Sequence, residues 1–341
     1  MIYIEGRSLI MKAIINILLI FILTIFCTAC NNQKTEINPT DKKSISIGSH
    51  YCINATYPLI INDYTGKDQP VHPKVLYFDK AWHGWRYWMS YTPYPKGNSS
   101  LENPSIAVSN DGINWTTPLY MHNPVVNQPG DVKQGGHLSD PHLVLKDDTL
   151  QLWYRYNPAN TKKHGENSLV NKIYMISTKN GVNWSTPKIV FNDKNAYLSP
   201  AIIYDNGIYK VWFSDFDGKL HYKQSSDLVS WTNTQIVNIK LVGYKIWHQD
   251  VIKDNNLYVI VFTAYKNYKN IQCLYYAISS DGINFTKPEQ ILKPSLNKTA
   301  LDNQMIYRSS LVNINGKYKV YYSAMDKHRD WHIFLTYLNS R

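Results

Sequence analysis

The stretch from His72 to Pro118 reads HPKVLYFD (72–79), WRYWMSY (85–91), TPYPKGNSSLENP (92–104) and SIAVSNDGINWTTP (105–118). It holds three short runs of β-branched and aromatic residues, each bounded by Gly, Pro, Asn or Asp, and it closes on an Asp-Gly-x-Asn-Trp turn. Runs of this length with such punctuation predict strands joined by tight turns. The pattern then recurs down the chain, so this stretch is the repeating unit.

The turn returns as Ser109-Asn-Asp111-Gly112-Ile-Asn-Trp115, Ser177-Thr-Lys-Asn180-Gly181-Val-Asn-Trp184, Ser225-Ser-Asp227-Leu-Val-Ser-Trp231 and Ser279-Ser-Asp281-Gly282-Ile-Asn-Phe285. Asp or Asn with Gly supplies the tight turn, and the aromatic is expected to fold over the repeat's own sheet. A pair of apolar runs precedes each turn, from Val75–Phe78 with Tyr87–Tyr91 to Val251–Ile252 with Leu257–Phe262. A fifth pair, Leu311–Ile314 and Tyr318–Ser323, has no full turn after it. Regular short strands without helical periodicity predict an all-β fold, here a five-bladed β-propeller of four-stranded antiparallel blades. The run Ile53–Ile61 is expected to complete the last blade and close the ring.

The ends and composition bound the rest. Met11-Lys12, the apolar run Ala13–Phe26 and Cys27-Thr-Ala-Cys30 form a signal of the lipoprotein type, with lipid attachment expected at Cys30. Residues 1–29 are thus read as signal, 30–48 as a polar tether and 49–341 as the propeller. The expected product is an exported, lipid-anchored monomer on a membrane or cell surface. The formal charge of +11 is spread without a Lys/Arg run, so no nucleic-acid partner is expected. Export permits a Cys52–Cys273 disulfide, and the spacing leaves the pairing open.

In such a fold the start of each innermost strand and the loop between the second and third strands meet near the axis on one face. Aligned on their apolar pairs, the five innermost strands place His72, Asp140, Ser199, His248 and Arg308 at one position. Two residues later stand Lys74, His142, Ala201, Asp250 and Ser310. Strand alternation would set both groups on one side. Packing alone would not select such a ring, because buried charges need partners or water. The second-to-third-strand loops add Tyr94, Glu102, Asn103, Arg155 and Asp215.

The turns, the D-P-H-L strand at Asp140, the S-P-A-I strand at Ser199 and the Y-R-S-S-L strand at Tyr307 resemble the five-bladed propeller glycoside hydrolases, the group that includes families 43, 32, 62, 117 and 130. The resemblance spans residues 49–341 and implies a carbohydrate substrate. Family 43 enzymes carry acidic residues on the innermost strands of blades one to three. His72, Asp140 and Ser199 stand there in this chain, so the resemblance implies an acidic set drawn from other blades.

Glycoside hydrolysis requires a carboxylic acid to protonate the leaving oxygen and a carboxylate to activate water or attack. Glu102 is expected to be the acid and Asp140 the base or nucleophile. Asp250 would orient substrate or tune the acid. Substrate contacts are expected from His72, Tyr94, Asn103, His142, Arg155, Ser199, Asp215, His248 and Arg308. No cofactor is expected, although His72, His142 and His248 could supply a divalent cation in the channel. A glycan-binding protein without catalysis is the alternative reading.

Overall fold

A computed structural model describes residues 49–159, 171–192, 196–266 and 272–340. The expected signal, tether and Cys30 lie outside the described residues. Among the described residues, no helix is long and apolar enough to cross a membrane.

Five antiparallel sheets follow one another along the chain. Their innermost strands are Pro70–Trp82, His137–Lys146, Leu198–Asp205, Lys245–Asp254 and Met305–Ile314. Second strands are Trp85–Pro93, Thr149–Asn157, Ile208–Ser214, Leu257–Tyr265 and Lys317–Met325, each paired with its innermost strand. Blade 1 has Ser105–Ser109 as its third strand, and a single Val108–Thr116 bridge marks its outer edge. The ring closes as His50–Tyr51 pairs with Asn339–Ser340 on the outer strand of blade 5. That is upstream of the expected Ile53–Ile61, which instead runs beside the same strand and is tied to it by Leu59 N to Ile333 O (2.8 Å) and Thr336 Oγ1 to Ile53 O (2.6 Å).

The recurring turns form as their residues require. Ser109 Oγ accepts from the Gly112 amide (2.9 Å), and Asp111 Oδ1 accepts from the Ile113 and Asn114 amides (2.7 and 2.8 Å). Ser279 with Asp281 and Thr178 with Asn180 repeat this network. The turns also join blades. The Tyr321 hydroxyl of blade 5 donates to Gly112 O (3.0 Å), and Trp212 Nε1 of blade 3 donates to Gly282 O (2.8 Å). Gly181 lies so close to Trp88 that a Cβ would sit 2.2 Å from the indole. The signature glycine of one blade therefore rests on the second-strand aromatic of the blade before it. Trp115 likewise meets Tyr321 of blade 5 as well as Tyr87 of its own sheet. Cys52 and Cys273 are free thiols.

Candidate functional site

Each innermost strand delivers its side chain to the axis through an irregularity. The pairing register shifts between Val71 and Lys74, between Ser139 and His142, between Ile246 and His248 and between Ile306 and Ser309. Blade 3 does the same, since Leu198 to Ala201 on the innermost strand stands opposite only Trp212 to Ser214 on the second. At the same aligned position of blades 1 to 3, His72, Asp140 and Ser199 adopt φ of 58°, 53° and 44°. Left-handed backbone at a non-glycine residue costs on the order of 1–3 kcal/mol and persists only where the surrounding fold enforces it. Bulges re-aim side chains in this way beside functional sites.

The bulges also separate the two groups that strict alternation would place together. His72, Asp140, Ser199, His248 and Arg308 make an upper layer, and Lys74, His142, Asp250 and Ser310 make a lower one. In the lower layer Lys74 Nζ meets Asp250 Oδ1 at 2.7 Å, while Asp250 Oδ2 accepts from the Leu311 amide (3.0 Å). Arg308 Nη2 donates to His142 Nδ1 (3.1 Å). On its other side, His142 Nε2 lies 2.9 Å from Ile202 O and 3.0 Å from Ile202 N. Ser310 Oγ accepts from the Val75 amide (3.0 Å).

Above lies a cavity of about 270 Å³ lined by His72, Tyr94, Ser99, Glu102, His137, Ser139, Asp140, Arg155, Leu198, Trp247, His248 and Tyr307. Of the sequence-derived candidates it gathers Glu102, Asp140, His72, Tyr94, Arg155 and His248. The others stand elsewhere. Asp250 and His142 are in the lower layer, and Arg308 of the upper layer reaches down to His142. Ser199 is beneath the cavity. Asn103 is buried and donates to Val126 O (2.8 Å), while Asp215 is held by His221 (2.8 Å) outside the cavity. His137, Ser139, Trp247 and Tyr307 were not singled out in sequence. Each sits within three residues of one that was, on the same strand.

Asp140 is the hub. Oδ2 accepts from Arg155 Nε (2.9 Å) and Oδ1 from Ser199 Oγ (2.7 Å). Oδ1 also lies 3.8 Å from His72 Nε2, 3.7 Å from His248 Nδ1 and 3.6 Å from Arg308 Nη1. Burial would raise its pKa, but the guanidiniums, Arg155 first and then Arg308, hold the carboxyl well below its ordinary value. Glu102 is the opposite case. Burial, reinforced by the Asp140 charge, drives its pKa well up, against a weaker pull from Arg155. Glu102 Oε2 has no hydrogen-bond partner among the described residues and lies 3.9 Å from His72 Nδ1. The His72 ring thus stands between the two carboxyls. Burial pushes the His72 pKa down to about 3 and that of His248 well below its ordinary value, so both rings rest neutral.

A ligating atom from each of His72, Asp140 and His248 falls within 4.8 Å of the other two. In a tetrahedral centre with bonds near 2.0–2.1 Å, donor atoms stand about 3.3 Å apart. The 3.8 Å separation of His72 Nε2 and Asp140 Oδ1 is therefore close to a binding geometry. Two neutral imidazoles with one ionised carboxylate suit first-row divalent ions such as Zn²⁺, Mn²⁺ or Fe²⁺. Of the three histidines expected to offer a cation site, His142 is instead committed to Arg308 and Ile202.

No family model matches the chain. It is 26% identical over 320 residues to an A type blood N-acetyl-α-D-galactosamine deacetylase of Flavonifractor plautii, an alignment covering 76% of this chain and 40% of that protein. The chain thus spans about two fifths of the relative's length. A solved structure of an N-acetylgalactosamine deacetylase from F. plautii, in complex with blood group B trisaccharide, matches at a TM-score of 0.73 and 22% identity, over 85% of this chain and 95% of that one. A thermostable family-43 glycoside hydrolase matches at 0.58 and 13%, over 80% and 90%. These structural likenesses establish a five-bladed propeller with neighbours among the glycoside hydrolases.

Proposed function

We propose that the chain is a carbohydrate-processing hydrolase whose cavity removes an acyl group from an N-acylated sugar. The observation that carries this reading is the convergence of His72, Asp140 and His248, from three blades, beside the buried carboxyl of Glu102, whose pKa burial raises. The deacetylase relative supports it.

In this reading His72, Asp140 and His248 would hold a divalent cation, which when bound supplies Lewis acidity toward a carbonyl oxygen and acidifies water. Arg155 and Arg308 keep Asp140 ionised and fixed. Burial raises the Glu102 pKa and so favours its protonated form, which can protonate the departing amine nitrogen, the step that amide hydrolysis needs most. Tyr94, Trp247 and Tyr307 give the cavity aromatic walls against which a sugar ring can lie. Water adds across the C–N bond, and a carboxylate and an amino sugar leave.

Glycosidic hydrolysis is the second reading, favoured by the opposed pKa shifts of Glu102 and Asp140. The intervening His72 ring counts against it.

The test is incubation of the purified protein with N-acetylated hexosaminides and nitrophenyl glycosides, with acetate and nitrophenol measured separately. Expected are acetate release that chelation abolishes and a divalent cation restores, and a loss of about 10²–10⁴-fold in kcat for Glu102→Gln. Nitrophenol release insensitive to chelation, and lost in Glu102→Gln and Asp140→Asn, would replace this reading with the glycosidase.

A further inference from the structure

Ser199 is fully buried, sits at φ 44° on the innermost strand of blade 3 and is not on the cavity wall. Its hydroxyl has two partners, Asp140 Oδ1 at 2.7 Å and His248 Nδ1. A hydroxyl has one proton to give. Asp140, flanked by the Arg155 and Arg308 guanidiniums, is a carboxylate and can only accept, so the proton goes to Asp140. Ser199 Oγ must then accept from His248, which requires a proton on Nδ1. A neutral imidazole carries one N–H, so Nε2 is left with a bare lone pair. His248 lines the cavity, and its Nε2 has no hydrogen-bond partner among the described residues. Thr92 Oγ1 lies 3.0 Å from His72 Nδ1, and among the described residues no carboxylate is bonded to it to force a direction, so the constraint belongs to Ser199.

We propose that Ser199 is a positioning residue that locks His248 in the Nδ1–H tautomer and so presents its Nε2 lone pair as the ligating or proton-accepting atom. The assignment deepens the hydrolase reading and rests on it for its consequence in catalysis. The enforced left-handed backbone at Ser199 brings the hydroxyl between its two partners. Outer hydrogen bonds of this kind set which nitrogen a histidine offers, and their loss typically costs 10–100-fold in affinity or rate.

The test uses the full protein with ¹⁵N-labelled histidine. In the wild type, the His248 signals, assigned by their loss in His248→Ala, should be pyrrole-like at Nδ1 and pyridine-like at Nε2. Ser199→Ala should lose that preference, leave the other histidine signals in place and lower kcat about 10–100-fold with KM within about two-fold. Ser199→Thr, which keeps the hydroxyl, should restore both the tautomer and kcat. A wild-type His248 protonated on Nε2, or a Ser199→Ala protein with tautomer and kcat unchanged, would overturn the proposal. The tautomer is read without substrate. Absence of acyl release beside an Nδ1–H His248 would therefore sink the hydrolase reading and leave the positioning role standing.

Discussion

The two layers of side chains along the propeller axis are built from the same five strands, yet they meet their hydrogen-bonding needs differently. In the lower layer Lys74, His142, Asp250 and Ser310 are closed on one another or on backbone groups. That layer opens onto a cavity of about 260 Å³ whose walls are mostly Leu, Ile and Val. In the upper layer His72 Nε2, His248 Nε2 and Glu102 Oε2 are buried without partners among the described residues. Left-handed backbone also distinguishes it from the lower layer, at His72, Asp140 and Ser199. Unpaired buried polar atoms and strained backbone both cost stability, so a fold tolerates them together where a ligand or reaction uses them. The lower layer closes on itself, and the upper layer is where the proposed chemistry would take place.

Acid should break this contrast from the upper side, with the largest effect. His72 titrates near 3 when folded, chiefly through burial, against an ordinary value of 6.5. As pH falls from 6.5 toward 3, the unfolded chain takes up protons that the folded ring refuses, so stability falls over that window. At about 1.36 kcal/mol per unit, one such group is worth up to ~5 kcal/mol. Glu102 acts in the opposite sense. Its raised folded pKa gives stability that is full below its unfolded value and is lost as pH rises through the folded one. Urea unfolding across pH should therefore show a shallower acid slope in His72→Gln. Glu102→Gln should be more stable than the wild type at pH 8 and equal to it below pH 4. An unchanged acid slope in His72→Gln would mean that the ring is not a buried neutral imidazole.

The lower layer should fail through stability rather than rate. Lys74→Met leaves Asp250 as an uncompensated buried carboxylate, at a cost of about 3–5 kcal/mol. Adding Asp250→Asn, which keeps an acceptor for the Leu311 amide, should recover most of that loss. Assayed well below its unfolding midpoint, the double variant should turn over within a few-fold of the wild type. A large rate loss at recovered stability would instead place Asp250 in the chemistry, the role its alignment suggested.

How much of this was legible in the sequence follows from which signals are local. The turns encode their own hydrogen bonds, so the four signatures revealed the repeat. The apolar pairs aligned the innermost strands well enough to find the upper layer. Alternation then misled, because bulges leave no residue signature of their own when the left-handed positions are filled by His, Asp and Ser rather than Gly. Ring closure by His50–Tyr51 is two residues long and carries no periodicity. The joining of blades was readable in hindsight. Trp153, Trp212 and Tyr321 occupy one aligned second-strand position, Trp88 stands two residues before it in blade 1, Val261 fills it in blade 4, and blade 5, the next one on, lacks the turn that an aromatic would support.

Strain by itself does not mark a functional position, and the smallest predicted effect tests this. In the third turn Leu228 adopts φ 64° where Gly112, Gly181 and Gly282 stand in the others, with Ser225 Oγ and Asp227 Oδ1 making the same bonds. Nothing in the cavity touches Leu228, which is half-buried against the blade 2–blade 3 core. A left-handed leucine costs about 1–2 kcal/mol, and the contact it makes offsets part of that. Leu228→Gly is therefore expected to stabilise the protein by about 0.5–1 kcal/mol without changing turnover. Ser199→Gly relieves a comparable strain and should instead lower turnover, because it removes the hydroxyl between Asp140 and His248. Thermal unfolding and kcat measured on both variants separate the cases. If Leu228→Gly lost activity, or Ser199→Gly kept it, strain at the upper layer would have to be read as an accident of the blade rather than a condition of the site.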